Sequence, residues 1–139
     1  MKKTAIIVAL VLLFIIAGAY IFLRKGLPDY TTNITAPGLS HPVSVERNRF
    51  AVPTVTAKTM EDLFFAWGYV NAQDRMFQME FTRRVAQGRI AEFAGEKELS
   101  KDIFLRGVGF ADRAKKYAEK LDPRFRSLSQ RYVDGINYY

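Results

Sequence analysis

The chain has 139 residues, no cysteine, one histidine and a formal charge of +7. That length allows one modest domain, and the missing cysteine excludes disulfides, thiolate metal sites and a cysteine nucleophile. Lys2, Lys3, Arg24 and Lys25 account for four of the positive charges, and the other 17 basic residues face 14 acids. These later charges are mixed in sign, as in Asp112-Arg113-Ala114-Lys115-Lys116. That is a solvated helix face, not the one-sided basic surface a nucleic acid needs, so no nucleic-acid partner is expected.

Residues 1–25 form the first segment. Ala5 to Leu23 runs for nineteen residues without a charge, between Lys2-Lys3 and Arg24-Lys25. As a helix it would extend about 28 Å, close to the hydrocarbon thickness of a bilayer. A cleaved signal peptide would use Ala17-Gly18-Ala19, with secretion after Ala19. The apolar run continues through Tyr20-Ile21-Phe22-Leu23, which favours an uncleaved anchor contacting the membrane through residues 5–23. Either way the following domain is expected outside the cytoplasm.

Residues 26–42 carry Pro28, Pro37 and Pro42 and read as a tether. Val43-Ser44-Val45-Glu46-Arg47 alternates apolar and polar, and Val52-Pro53-Thr54-Val55-Thr56 is rich in β-branched residues, so a hairpin turning near 48–51 is predicted. Thr59-Met60-Glu61-Asp62 opens a helix, with the Thr59 hydroxyl accepting from the third amide. From Leu63 to Val85 that helix has two apolar stripes and one interior glycine, Gly68, and is expected to be buried on both sides. Asp74 interrupts the first stripe, so its carboxylate needs a partner, with Arg75, Arg83 or Arg84 in reach. Glu80 and Arg84 are spaced to pair along the helix. Phe104, Val108, Ala111, Ala114, Ala118 and Leu121 predict a further helix. Asp122-Pro123 caps the last one, whose stripe is Phe125, Leu128, Tyr132 and Ile136. That stripe reaches Tyr139 with little to pack on, so residues 43–139 read as an incomplete, mainly helical α+β domain with a short N-terminal hairpin.

No catalytic, substrate-binding, cofactor or metal residue emerges from these elements. His41 stands beside Ser40, but adjacent side chains on an extended chain diverge and do not make a nucleophile–base pair. One histidine is too few for the usual zinc sites, and Gly107-Val108-Gly109 lacks the spacing of a phosphate loop. Asp62, Asp74 and Glu80 share a predicted helix without aligning on it, and Asp74 reads as a structural ion pair.

A longer signal is carried by Trp67-Gly68-Tyr69-Val70-Asn71-Ala72-Gln73-Asp74-Arg75-Met76-Phe77-Gln78-Met79-Glu80, then Arg83-Arg84, then Gln87-Gly88-Arg89-Ile90-Ala91-Glu92. It resembles the penicillin acylase family, which reads G-Y-V-x-A-Q-D-R-[LM]-[FW]-Q-M-E, R-R and G-x-[LIV]-A-E. Val45 to Ala57 is similar to that family's opening hairpin, Asp102, Arg106 and Gly107 to its D-x-x-x-R-x-[LG] region, and Tyr132 to Asn137 to its Y-x-x-G-[VIM]-N element. Asn48, Ala51 and Thr54 depart from the usual Asp, Gly and His. An alanine is strained at position 51 if the turn requires a positive φ there.

The resemblance, which spans residues 39–137, implies the leading part of the α chain of a larger αββα N-terminal-nucleophile hydrolase. Such a precursor is cut internally, and a new N-terminal serine attacks an amide with its own α-amine as base. The substrates implied are side-chain amides of β-lactams or N-acyl homoserine lactones. The chain contains no Gly-Ser junction, and Met1 lies beside Lys2-Lys3, so the nucleophile is expected outside it. The partner expected is the catalytic β chain from the same precursor, with calcium, where bound, held beyond Tyr139. The alternative is a truncated, non-catalytic, membrane-anchored binding module.

Overall fold

The computed structural model describes residues 2–31 and 33–139, without the side chains of residues 2–5, 8 and 9. It divides into a unit ending at Ile34 and a unit from Thr35 to Tyr139. The first unit is built on helix α1 (Lys2–Lys25). Among the described residues no helix is long and apolar enough to cross a membrane. The run Ala5–Leu23 is described side chain by side chain only as Ile6–Ile7 and Leu10–Leu23.

The second unit is mainly helical, with one two-stranded sheet, as expected. Strands β1 (Ser44–Arg47) and β2 (Pro53–Thr56) pair antiparallel, with Val45 opposite Val55 and Arg47 opposite Pro53. Pro53 therefore opens its strand, where its missing N–H costs least. The side-chain oxygen of Asn48 accepts from the Phe50 and Val52 amides and closes the turn. Ala51 sits there at φ +60°, so the strained conformation that a glycine would relieve is the one this chain adopts.

Helix α2 (Met60–Ala86) starts where the sequence places it, with the Thr59 hydroxyl accepting from the Asp62 amide at 3.1 Å. It is not one rod. Arg75 takes φ −143° and ψ 21°, which kinks the helix. Every residue of α2 that is buried precedes that kink: Asp62, Phe65, Ala66, Gly68, Val70 and Ala72. The expectation of burial on two sides thus holds only for the first half.

After α2 the chain makes the short α3 (Ala91–Ala94), a 3-10 turn over Glu96–Glu98, and α4 (Leu99–Val108). The single helix predicted through Leu121 is two. Gly109 adopts the left-handed conformation at φ +75°, ends α4, and lets α5 (Phe110–Glu119) leave in a new direction. Helix α6 (Pro123–Tyr138) is capped by Asp122, whose carboxylate accepts from the Arg124 and Phe125 amides.

The last helix was expected to find little to pack on; instead α2 and α6 form the principal helix contact of the unit. The cause is a pair of glycines. A Cβ on Gly68 would run into the Tyr132 carbonyl, and one on Gly135 into the Phe65 carbonyl. With hydrogens there the two backbones close together, and larger groups seal the crossing. The Trp67 and Tyr132 rings meet edge to face at 5.2 Å, and the Asn71 amide donates to the Tyr132 hydroxyl at 3.0 Å.

Candidate functional site

Four polar clusters hold this unit together. The first surrounds Asp62, which is fully buried. Its carboxylate accepts from the Ser40 backbone amide at 2.8 Å, and Nδ1 of His41 lies 3.1 Å away. The Ser40 amide, with help from the Thr59 hydroxyl and His41, holds the Asp62 carboxyl below its ordinary range against the opposing effect of burial. An ionised carboxylate only accepts, so Nδ1 of His41 carries the proton in this pair. Ser40 takes part through its backbone, and among the described residues no hydrogen bond joins its hydroxyl to His41. The cluster fastens the residues before β1 onto the start of α2.

The second cluster corrects the expectation for Asp74. Its partner is Arg47 of β1, which donates to both carboxylate oxygens at 2.9 Å and also reaches the Gln73 side chain and the Ala51 carbonyl. Of the residues expected to pair with it, Arg75 binds Gln78, while Arg83 and Arg84 bind Glu80. The pair is partly exposed, not deeply buried. It grips α2 one residue before the kink.

The third cluster explains the Gly88–Glu92 motif. Asp102 on α4 is buried, and its two oxygens accept from the Ile90 and Ala91 amides, each at 2.8 Å. One turn later Arg106 donates to the Gly88 carbonyl at 2.9 Å. Gly88 sits at φ +60°, and a Cβ there would lie 2.6 Å from the Asp102 carbonyl. The spacing of four between Asp102 and Arg106 therefore places two grips on one turn of α4, both closing on the loop after α2.

The fourth cluster lies beyond the kink. Glu80 receives Arg83 and Arg84, and Glu92 receives Arg84 and Arg89. Hydrogen bonds from Arg83, then Arg84, bring the Glu80 carboxyl down to about 2. Arg89 lowers Glu92 in the same way. The expected Glu80–Arg84 pair is present at 2.6 Å.

None of these clusters sets a nucleophile against a base. A groove of about 410 Å³ beside Phe65 holds Arg131, but its guanidinium donates to the Gly38 carbonyl, pairs with Asp134 and lies over the Phe65 ring. Among the described residues no set of three His, Asp or Glu side chains could hold a metal ion. Sequence reasoning missed the partners of Arg47, Asp62, Asp102 and Gly135, each of which lies far along the chain. One signal was available. Gly68 and Gly135 are lone glycines inside otherwise apolar helical patterns, which is where backbones approach closely.

The residues of the last three clusters are those of the long motif and its flanks, and a profile of the penicillin amidase family matches residues 42–139. The chain belongs to the penicillin amidase family. It is 38% identical over 117 residues to the penicillin acylase 2 proenzyme of a Pseudomonas species, covering 84% of this chain and 15% of that one. It is 37% identical over 102 residues to the acyl-homoserine lactone acylase QuiP of Pseudomonas fluorescens, covering 73% and 12%. Among solved structures it is similar to the thermostable penicillin G acylase of Alcaligenes faecalis. That match has a TM-score of 0.61 at 30% identity and covers 69% of this chain and 51% of that one. The chain thus spans less than a sixth of the curated relatives named.

Proposed function

We propose that the chain is the N-terminal scaffold of a penicillin-acylase-type amidase whose nucleophile lies outside these 139 residues. One observation carries this reading. The family motif supplies contacts inside this unit and no nucleophile–base pair: Gly68 serves the helix crossing, Asp74 the hairpin, and Gly88 the turn that Asp102 and Arg106 close. In the proposed enzyme a serine exposed by processing attacks the amide carbonyl while its own α-amine takes the hydroxyl proton. A free α-amine suits this because its pKa of about 7.7–8.0 leaves roughly a tenth to a sixth of it unprotonated at neutral pH, beside its own hydroxyl. Donors from the catalytic chain stabilise the resulting oxyanion.

The substrates in this reading are side-chain amides of β-lactams or N-acyl homoserine lactones, the two classes named among the relatives. The partner is the catalytic chain of the same precursor, and residues 5–23 anchor the assembly to the membrane with the domain outside the cytoplasm. The reading frame after codon 139 is the test. Continuation to a processing junction with an internal serine, and turnover of phenylacetyl amides or acyl homoserine lactones by that product, is the expected result. An immediate stop codon would leave the non-catalytic, membrane-anchored module instead. Turnover by the 139 residues alone would overturn the claim that the nucleophile lies elsewhere.

A further inference from the structure

Beyond the kink, α2 carries an aromatic row that no described residue of the second unit covers. Phe77 and Phe81 stack at 6.3 Å, and Phe81 meets Phe93 of α3 edge to face at 5.5 Å. These rings are 82%, 41% and 48% exposed, respectively. A contiguous aromatic patch is costly to leave in water and marks a place for a partner. Its surroundings narrow the partner's chemistry. The neighbouring charges of Glu80, Glu92, Arg83, Arg84 and Arg89 are tied to one another. They offer little field to steer a nucleic acid or an anionic lipid surface, so the occupant is an apolar polypeptide face.

We infer that the Phe77–Phe81–Phe93 row is the surface on which the catalytic chain of the proposed acylase docks. This rests on the scaffold reading above. It commits to that occupant, over a second copy of this chain, because the matched segment makes up only 15% and 12% of the relatives named. In the proposed enzyme the rest of that length is available to cover this unit, and it exceeds the matched segment more than fivefold. The half of α2 before the kink is already covered by α6, whereas the half after it is open.

The test is a precursor in which the full 139-residue chain replaces the Escherichia coli penicillin G acylase sequence through the end of its 98-residue match. The readouts are the yield of processed two-chain enzyme and its hydrolysis of a phenylacetyl amide. Relative to the parent chimera, the double variant Phe77→Ser with Phe81→Ser is expected to lose at least tenfold in assembled enzyme. Tyr117→Ser, at an isolated ring that is 71% exposed, is expected to keep the parent level. Phe77→Leu preserves apolar surface and is expected to retain at least half.

A parent chimera that is neither processed nor active overturns the scaffold reading and this inference with it. A working parent whose double variant assembles equally well overturns only the inference. So does an equal loss in Phe77→Leu and in the double variant, which would assign the effect to the helix itself. Dimerisation of the 139-residue chain through these rings would name a second copy as occupant and reject the catalytic chain.

Discussion

The two halves of α2 have similar apolar content and opposite surroundings. Before Arg75, the helix is fastened by Asp62 at its start, crossed by α6 at Gly68 and gripped at Asp74 by the hairpin. After Arg75, large rings face solvent and the polar groups satisfy one another along the same surface. Periodicity describes which residues could be buried. Burial itself depends on whether some other part of the chain arrives to cover them, and here only the first half is covered. A motif that runs unbroken across the kink thus serves two tasks, one inside this unit and one at its edge.

The sharpest way to break the comparison is to add one methyl group at the packed crossing, on either helix. Gly135→Ala and Gly68→Ala both drive a Cβ into a backbone carbonyl of the opposite helix. Backbone cannot rotate away as a side chain can, so each should cost about 3 kcal/mol, the upper end of ordinary overpacking. The opposite half offers the control. Phe77→Ala removes a far larger group from a nearly fully exposed position, and its effect should stay within about 0.5 kcal/mol. Urea midpoints of the full chain measure both, and a similar loss in Phe77→Ala would show that the second half is packed after all.

Asp102→Ala should come next. It removes the acceptor of two amides at the half-buried start of α3, and one or both are left without a partner, for about 2 kcal/mol. Asp102→Asn keeps one acceptor oxygen and should recover part of the loss.

Acid should separate the halves as well. Asp62 and Glu80 both have folded pKa values below their ordinary ones, Glu80 falling from 4.5 to about 2. The stabilisation Glu80 gives is therefore present above about pH 4.5 and is lost as the pH falls towards 2. That of Asp62 is present above its ordinary 3.8 and is lost as the pH falls through its lowered folded value. Asp62 is inaccessible to solvent, while Glu80 is partly exposed beside its arginines and is screened by salt. Asp62→Asn should shift the acid-unfolding midpoint strongly at any ionic strength. Glu80→Gln should shift it slightly, and 0.5 M salt (an arbitrary test level, about five times the concentration giving a 10 Å screening length) should erase that difference. Equal shifts from both would contradict the contrast.

Local chemistry was legible in the sequence; distant partners were not. The Thr59 and Asp122 caps and the Glu80–Arg84 pair each involve residues within four positions, and all are present. Asp74 was recognised as needing a cation, but the nearest arginines along the helix were the wrong ones, because β1 delivers Arg47 from 27 residues away. Gly109 passed as part of a helical pattern, although a glycine after the last helical residue is a stop signal. The kink at Arg75 carries no glycine or proline to announce it. Its position immediately after the residue gripped by the hairpin is visible only in three dimensions.

The smallest effect concerns the hairpin that holds Asp74, and it runs in the opposite direction from the others. Ala51 occupies a positive φ while its carbonyl accepts from Arg47 and its amide bonds to Asn48. An L-residue in that conformation costs roughly 1 kcal/mol relative to glycine. Glycine loses more backbone freedom on folding, which returns about half of that gain. Ala51→Gly should therefore stabilise the chain by about 0.5 kcal/mol, in contrast to the usual penalty for introducing glycine. Combined with Arg47→Met, which frees the Ala51 carbonyl and removes the grip on Asp74, the gain should persist if strain at φ is its source. A gain that vanishes in the Arg47→Met background would place the benefit in the Arg47–Asp74 geometry, and so tie the turn to the packed half of α2.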